Sequence, residues 1–310
     1  MTRHLGVVFR GTGGVIGQDY VSRTLQACSD LVEEVNPEFP ATMGGLPVGE
    51  AGDINDPSMA KAVEIAVEDA KHIIAQHPDR KLVIGGYSAG AVAAAHVRQY
   101  VQETCPDRYV CSFSFGDPTR PKGGAFFAGK PAPGHGISTW RYGDIKDWRH
   151  CWLAAPGDMY ASVPDGDTGL IMGDFYDIVT NVELSDPVAT LGAILRKLPD
   201  LLVHLRLLQH KESPVSPGLL GLITETDKIL QGRINPLNPL GGLLLSVVGL
   251  LDGEPDGLAA GINAALEGIR FVAQQPPTAP HIQYENREVW PGQTYLGLAI
   301  QHVRDWSSRT

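Results

Sequence analysis

Short, mostly apolar segments recur through the first half of the chain, and each has the length of a β-strand. They are Leu5 to Phe9, Leu31 to Val35, Lys81 to Gly85, Tyr109 to Phe115 and Ile137 to Tyr142. Apolar runs of this length, bounded by glycine or polar residues, are typical of strands that are buried on both faces. The segments therefore predict a mainly parallel central sheet covered by helices on each side.

Apolar residues at helical spacing lie between these segments. Residues 59–74 carry an apolar stripe at three- and four-residue intervals, and Asp56 followed by Pro57 predicts where that helix begins. Gly17 to Leu31 and Ala91 to about Gln102 have similar helical character. Strand and helix alternate, so the sequence predicts an α/β fold with right-handed crossovers.

The strand pattern ends near Ser185, where leucine-rich segments separated by proline and glycine take over. These segments are Val188 to Gln209, Leu219 to Leu230, Leu240 to Leu251 and Pro255 to Val272. We therefore predict a helical insertion over residues 186–275, placed within one catalytic domain of residues 1–185 and 276–310. A proline-rich connector over residues 276–280 leads out of the insertion, and Pro291 to Trp306 predicts a last helix.

Composition and charge restrict the class of partner. The chain has 310 residues, 43% of them hydrophobic and 19% charged, which is typical of a folded α/β domain. Its formal net charge of −10 gives no electrostatic basis for binding nucleic acid. We expect no export signal, because the first residues lack the pattern of a signal peptide. Leu237 to Leu251 spans about 15 residues where a bilayer needs about 20, so no integral membrane segment is expected.

The cysteines do not suggest a metal site. None of the four, Cys28, Cys105, Cys111 and Cys151, forms a C-x-x-C pair, which excludes a zinc ribbon or a thioredoxin motif. Four free buried thiols are the expected state, with a bridge between Cys105 and Cys111 left open. No cluster of metal ligands is visible in the sequence, and no metal or organic cofactor is expected.

Residues 86–90 carry the main chemical signal. Gly86-Tyr87-Ser88-Ala89-Gly90 has the G-x-S-x-G spacing of a nucleophile elbow, a sharp turn that exposes a serine between a strand and a helix. The pattern is weak alone, but here an apolar strand precedes it and a small-residue helix follows it. Ser88 is therefore the predicted nucleophile, at a helix N-terminus whose dipole favours developing negative charge.

A serine nucleophile needs a base, and in this kind of fold the acid and the histidine follow the serine in chain order. The histidines after Ser88 are His96, His135, His150, His204, His210, His281 and His302. His281 is favoured because it follows the proline-rich connector on a predicted loop before the last helix. His302 stays open as an alternative, although it falls inside that helix.

The residues alone leave several candidates for the orienting acid. Asp158 follows Pro156-Gly157 in a predicted turn from which a carboxylate can reach the carboxyl edge of the sheet. The competing carboxylates are Asp144, Asp147, Asp165, Asp167 and Asp174. Spacing alone does not choose among them.

Four motifs together resemble the cutinase-like serine esterases, and within them the mycobacteriophage Lysin B proteins. The motifs are Arg10-Gly11-Thr12, Gly86 to Gly90, Cys151 with Pro156-Gly157-Asp158, and His281-Ile282-Gln283-Tyr284. A helical insertion between acid and histidine, as predicted here, is also a feature of Lysin B proteins.

The resemblance implies an α/β-hydrolase fold and a set of site residues. It implies Ser88 as nucleophile, Asp158 as orienting acid and His281 as general base. It also implies an oxyanion hole built from the backbone N–H groups of Thr12 and Ala89.

The resemblance further implies a lipid-ester substrate, the ester that joins mycolic acids to arabinogalactan in the mycobacterial cell envelope. It implies synthesis in the host cytoplasm and action on the envelope after the membrane is disrupted, which the expected lack of a signal peptide suits. Two alternatives stay open. One is a general cutinase-like or lipase-like carboxylesterase, and the other is a non-catalytic envelope-binding protein on an esterase scaffold.

The chain also departs in two ways from the proteins that it resembles. Cutinases carry a disulfide that flanks the acid loop, whereas no cysteine follows Cys151 here, so that bridge is not expected. Some Lysin B proteins begin with a peptidoglycan-binding module, whereas here the predicted catalytic domain starts at once.

Overall fold

A five-stranded parallel sheet forms the centre of the molecule. The computed structural model describes residues 2–126, 129–204 and 278–310. The strands are β1 (His4–Phe9), β2 (Val32–Val35), β3 (Leu82–Tyr87), β4 (Tyr109–Phe115) and β5 (His150–Leu153). Their order across the sheet is β2-β1-β3-β4-β5, and every neighbouring pair is parallel. The predicted α/β class with a mainly parallel sheet is confirmed.

Alternate residues of each strand pack on opposite faces of the sheet, as the two-residue period of a strand requires. Leu5, Val7 and Phe9 of β1 enter one apolar core, whereas Val8 enters the other. All seven residues of β4 are buried. Both faces are covered, which is why these strands read as continuous apolar runs.

Helices on the two faces complete the layers. The first core is closed by α2 (Met59–Gln76), α3 (Ala89–Thr104) and α4 (Asp167–Val179), which all contribute buried residues to it. The second is closed by α1 (Tyr20–Gln26) and by α7 (Tyr295–Ser307).

The prediction of a strand over Ile137 to Tyr142 is wrong, and the fifth strand is β5. The backbone N–H groups of this segment bond to loops rather than to a strand. Ile137 N–H donates to the Tyr160 carbonyl and Ser138 N–H to the Pro118 carbonyl, each at 2.9 Å. Ile137 is buried in the first core and Trp140 stacks on His96 of α3, so the segment packs on the helical layer and does not extend the sheet.

The start of α2 also differs from the prediction. Ser58 is the N-cap, and its hydroxyl accepts the Lys61 N–H at 3.2 Å. The Asp56 carboxylate instead accepts the N–H groups of Gly52 and Asp53. Either side chain can cap a helix, and the preceding turn decides which one lies at the helix end.

The last helix begins later than predicted. Glu288–Trp290 (β6) and Gln293–Thr294 (β7) form a small antiparallel hairpin, and Thr294 then caps α7 by accepting the Gly297 N–H at 3.1 Å. Proline and glycine, at positions 291 and 292, make the turn of this hairpin rather than the first turn of a helix.

The predicted insertion is only partly within the described residues. A helix, α5 (Pro187–His204), begins where the leucine-rich pattern begins. The remaining predicted helices, Leu219 to Leu230, Leu240 to Leu251 and Pro255 to Val272, lie outside the described residues, as do the first two residues of the connector, 276 and 277. The boundaries 186–275 therefore stay a prediction. Among the described helices, none has the length and apolar character needed to cross a membrane.

Candidate active site

A sharp turn between β3 and α3 carries Ser88. Its backbone has φ 55° and ψ −123°, in the left-handed region that side chains rarely adopt. A Cβ at Gly86 would lie 2.5 Å from the Ala91 Cα, and one at Gly90 would lie 2.2 Å from the Arg10 carbonyl oxygen. Only glycine fits at these two positions, which explains the spacing of the motif. A serine on such a turn at the carboxyl edge of a parallel sheet is the α/β-hydrolase arrangement.

Two buried side chains extend from Ser88 in a single hydrogen-bonded line. His281 Nε2 lies 2.8 Å from Ser88 Oγ, and His281 Nδ1 lies 2.9 Å from Asp158 Oδ2. His281 belongs to a short helix, α6 (Ala279–Ile282), and Asp158 lies in the loop after β5. The structure thus brings together the three residues that the sequence singled out, from segments far apart in the chain. The geometry is that of a serine–histidine–aspartate triad.

The Asp158 carboxylate is fully buried yet held in its charged form. Burial would raise its pKa, but the charge and hydrogen bond of His281, together with hydrogen bonds from Tyr284 and the Tyr160 backbone, outweigh burial and lower it. Tyr284 Oη lies 2.5 Å from Oδ2, and Tyr160 N–H donates to Oδ1 at 2.9 Å. Asp158 is therefore an anion at neutral pH, as an orienting acid must be.

The loop that carries Asp158 is fixed by a buried arginine. The Arg120 guanidinium donates to the carbonyls of Ala161 (2.6 Å), Gly124 (3.0 Å) and Pro133 (2.8 Å), and Ala161 N–H in turn donates to the Asp158 carbonyl at 3.1 Å. The planar guanidinium thus links three loops, one of which carries Asp158.

Tyrosines surround His281 and hold its backbone. Tyr87 Oη donates to the His281 carbonyl at 2.9 Å, and Tyr20 Oη donates to the Ile282 carbonyl at 2.6 Å. The rings of Tyr87 and Tyr160 also pack on the imidazole, with centroids 5.1 Å and 4.6 Å away. These hydrogen bonds therefore tie the His281 segment to β3 in the sheet and to α1 in the helical layer.

Gly116, directly after β4, touches the other side of the imidazole. Its φ of 53° is left-handed, and a Cβ there would lie 2.6 Å from His281 Cε1 and 2.9 Å from Asp158 Oδ2. Glycine is required here for both the backbone conformation and the space.

Thr12 and Ala89, the predicted oxyanion donors, lie on segments that meet at Ser88. Ala89 is the first residue of α3, so its N–H has no acceptor within the helix. The Thr12 loop packs on the elbow, because a Cβ at Gly11 would lie 2.7 Å from the Tyr87 ring. Next to Thr12 the loop is pinned by two hydrogen bonds of 2.8 Å, from Gly11 N–H to Asp19 and from Gly13 N–H to the Ala41 carbonyl. Their role as oxyanion donors stays a prediction.

The alternative base, His302, lies at the opposite edge of the sheet. Its Nε2 is 3.0 Å from the Arg149 carbonyl, just before β5, whereas Ser88 follows the carboxyl end of β3. Burial lowers the pKa of His302 to about 4. His302 is therefore a neutral core residue of α7 and has no contact with the elbow.

Three of the five competing acids are engaged elsewhere. Asp147 binds Arg149, Asp165 binds Lys122, and Asp174 lies 2.5 Å from His204. His210 lies outside the described residues. Within the described part of the chain, no group of three or more histidine, cysteine or acidic side chains is placed to hold a metal ion, and all four cysteines are free thiols.

Sequence reasoning missed the residues that hold the triad. Tyr20, Tyr87, Tyr284, Gly116 and Arg120 all act through contacts between distant segments. Only Tyr284 had a local signal, three residues after His281, and its hydroxyl proved to reach the acid rather than the histidine.

Comparisons with known proteins found structural similarity but no close relative. No family model matches the chain, and no curated protein matches it. Lysin B from Mycobacteriophage D29 is 17% identical, with 88% of this chain and 99% of that chain covered at a TM-score of 0.48. The catalytic core of acetyl xylan esterase from Trichoderma reesei is 14% identical, with 57% and 95% covered at 0.40. A cutinase-like protein from Cryptococcus sp. is 15% identical, with 58% and 96% covered at 0.38.

Proposed function

We propose that the protein is a serine esterase, a hydrolase of carboxylic esters with Ser88 as its nucleophile. The observation that carries the proposal is the line of hydrogen bonds from Ser88 through His281 to Asp158, built on a strained strand-to-helix turn. A strained backbone conformation persists only where the surrounding structure stabilises it, and here it holds the Ser88 hydroxyl against His281.

The first half of the reaction acylates the serine. Ser88 Oγ attacks the ester carbonyl carbon while His281 Nε2 takes the hydroxyl proton, and the carbonyl oxygen becomes an oxyanion. The oxyanion collapses, the bond to the alcohol oxygen breaks, and His281 gives its proton to the departing alcohol. Asp158 keeps the proton on Nδ1 throughout and stabilises the imidazolium.

The second half releases the acid. His281 takes a proton from a water molecule as the water oxygen attacks the acyl-enzyme carbonyl. Collapse of this second oxyanion breaks the bond to Ser88 Oγ, which recovers its proton from His281. The N–H groups of Thr12 and Ala89 are the proposed oxyanion donors, and loss of one such donor costs about 3 kcal/mol of barrier.

For the substrate we propose an ester with an apolar acyl group. Ile282, next to the catalytic histidine, is 41% exposed, and Ile16, just beyond the Thr12 loop, is 53% exposed. The Tyr20 hydroxyl on the carbonyl of Ile282 brings the segments after Thr12 and after His281 side by side. Exposed apolar side chains on both segments suit a lipid better than a small acetyl group.

The finer proposal is the ester between mycolic acids and arabinogalactan in the mycobacterial envelope. It is supported by the motifs around Thr12, Ser88, Asp158 and His281 that resemble the Lysin B proteins. On this proposal the protein is made in the host cytoplasm and acts on the envelope once the membrane is disrupted. A general cutinase-like carboxylesterase is the competing assignment, with the same triad and simpler esters.

Hydrolysis of p-nitrophenyl butyrate and palmitate tests the proposal. Ser88→Ala should lower kcat by about 10⁶-fold, while the control Ser29→Ala, at an exposed serine of the surface, should match the wild type. Equal inactivity of wild type and Ser88→Ala on every ester would rule out the esterase and favour a binding protein. Fatty-acid release from purified mycobacterial cell wall then separates the two substrates. A wild type active on p-nitrophenyl esters but not on cell wall is a general carboxylesterase.

A further inference from the structure

The Asp158 oxygen that faces the histidine has a second hydrogen-bond donor. Tyr284 Oη lies 2.5 Å from Asp158 Oδ2, the same oxygen that His281 Nδ1 meets at 2.9 Å. The tyrosine is fully buried, and its oxygen also accepts the Ala155 N–H at 3.2 Å. Because a donor already occupies the phenol oxygen, the single phenol proton is directed at the carboxylate.

We propose that Tyr284 is a positioning residue that shares one Asp158 oxygen with His281 and thereby sets how strong a base the histidine is. The inference rests on the proposed serine-esterase function. Two donors on one oxygen divide its negative charge, so the phenol weakens the pull of the carboxylate on the imidazolium. Removal of the phenol proton should therefore strengthen that pull.

The hydrogen bond to the second carboxylate oxygen distinguishes this role of Tyr284 from simple orientation of Asp158. Tyr160 N–H donates to Asp158 Oδ1 at 2.9 Å, and Asp158 N–H donates to the Ala155 carbonyl at 3.0 Å. These backbone bonds, with His281 itself, already fix the plane of the carboxylate. The Tyr284 proton therefore acts mainly on the charge of Oδ2.

The described groups that contact the pair do not titrate near neutral pH. Among the described residues, the charged and titratable side chains shown to interact with Asp158 or to pack on His281 include Tyr87, Tyr160, Tyr284, Tyr295 and Arg120, with Tyr20 on the adjoining carbonyl. Burial raises the pKa of Tyr20 and of Tyr160 to about 12, and it raises that of Tyr284 well above its ordinary value. Arg120 carries a constant charge. The acid limb of the activity profile therefore reports the histidine and its carboxylate.

The test is the pH dependence of kcat/KM for p-nitrophenyl butyrate in Tyr284→Phe. Removing the hydroxyl should move the acid limb to higher pH by about half a unit and lower the plateau about tenfold. The matched control is Tyr20→Phe, which removes a hydroxyl from the same aromatic group and the same histidine segment but leaves Asp158 untouched. Its acid limb should stay at the wild-type position. A Tyr284→Phe limb that coincides with that of Tyr20→Phe would overturn the proposal.

A second variant covers the case in which Tyr284→Phe does not fold. Site-specific 3-fluorotyrosine at position 284 keeps the hydroxyl but makes it a stronger donor, so the acid limb should move to lower pH, opposite to the phenylalanine variant. An unmoved or upward limb contradicts the proposal. NMR titration of the His281 ring gives the same midpoints without substrate. A shift seen by NMR in a protein that cleaves no ester would sustain the hydrogen-bond effect and reject the esterase.

Discussion

Gly116→Ala places one methyl group against the His281–Asp158 pair. The new Cβ would lie 2.7 Å from His281 Nδ1, whereas non-bonded heavy atoms settle near 3.5 Å, so the ring must move by roughly 0.8 Å. A shift of that size away from Gly116 breaks the 2.9 Å contact with Asp158 or the 2.8 Å contact with Ser88. Displacements of about 1 Å cost about 10²-fold in rate, and we expect kcat/KM to fall by at least that factor.

The same substitution also strains the backbone, so stability must be measured beside activity. Alanine in the left-handed region costs about 1–2 kcal/mol relative to glycine. Gly292→Ala is the matched control, because Gly292 has φ 82° and nothing within 4 Å of the added Cβ. Urea unfolding should give both variants a similar backbone loss, whereas only Gly116→Ala should lose ester hydrolysis. If Gly116→Ala keeps activity close to that of Gly292→Ala, the imidazole is not confined as described.

Three further outcomes are expected. Asp158→Asn should lower kcat by about 10⁴-fold with little change in fold, because an amide favours the wrong tautomer of His281, which a pH–rate profile and circular dichroism together would check. His302 binds a proton near pH 6.5 when unfolded but only near pH 4 when folded, so the free energy of unfolding should fall by about 3 kcal/mol as pH drops between those values. The urea midpoint plotted against pH should be flatter for His302→Gln than for the wild type. An unchanged plot would contradict the burial effect. Ile282→Ser should lower kcat/KM for p-nitrophenyl palmitate about tenfold relative to that for the butyrate. The control Ile145→Ser, at an exposed isoleucine before β5, should leave this palmitate-to-butyrate ratio unchanged. Equal ratios for the two variants would remove the support for an apolar substrate.

The strands and the elbow could be predicted because their signals are local. β4 begins at Tyr109 and ends at Phe115 in both prediction and structure, since an all-buried strand has an unbroken apolar sequence. Ser88 needed only the preceding strand, the small neighbours and the following helix. The prediction for Ile137 to Tyr142 failed because its apolar residues pack on the helical layer, a placement that depends on the loops around Pro118 and Tyr160.

The choice of acid and of the supporting residues depends on distant contacts. Six aspartates fitted the chain order, so spacing left the acid open and only the family resemblance implied Asp158, which the structure places 2.9 Å from His281 Nδ1. No sequence pattern around Arg120 indicates that its guanidinium donates hydrogen bonds to three backbone carbonyls. Gly116 is one glycine among 36, and only its left-handed backbone next to the imidazole sets it apart.

The two tyrosine hydroxyls on the carbonyls of His281 and Ile282 have a consequence for how such a chain can evolve. Both donors, Tyr20 and Tyr87, belong to elements that precede the acid, whereas the histidine returns to the site more than a hundred residues after it. The backbone of His281 is thus held by α1 and β3, two elements that come before the acid in the chain. Selection for activity should therefore keep a hydroxyl at positions 20 and 87 even where the sequence around them changes, because both hydroxyls fix the backbone beside the reacting atoms.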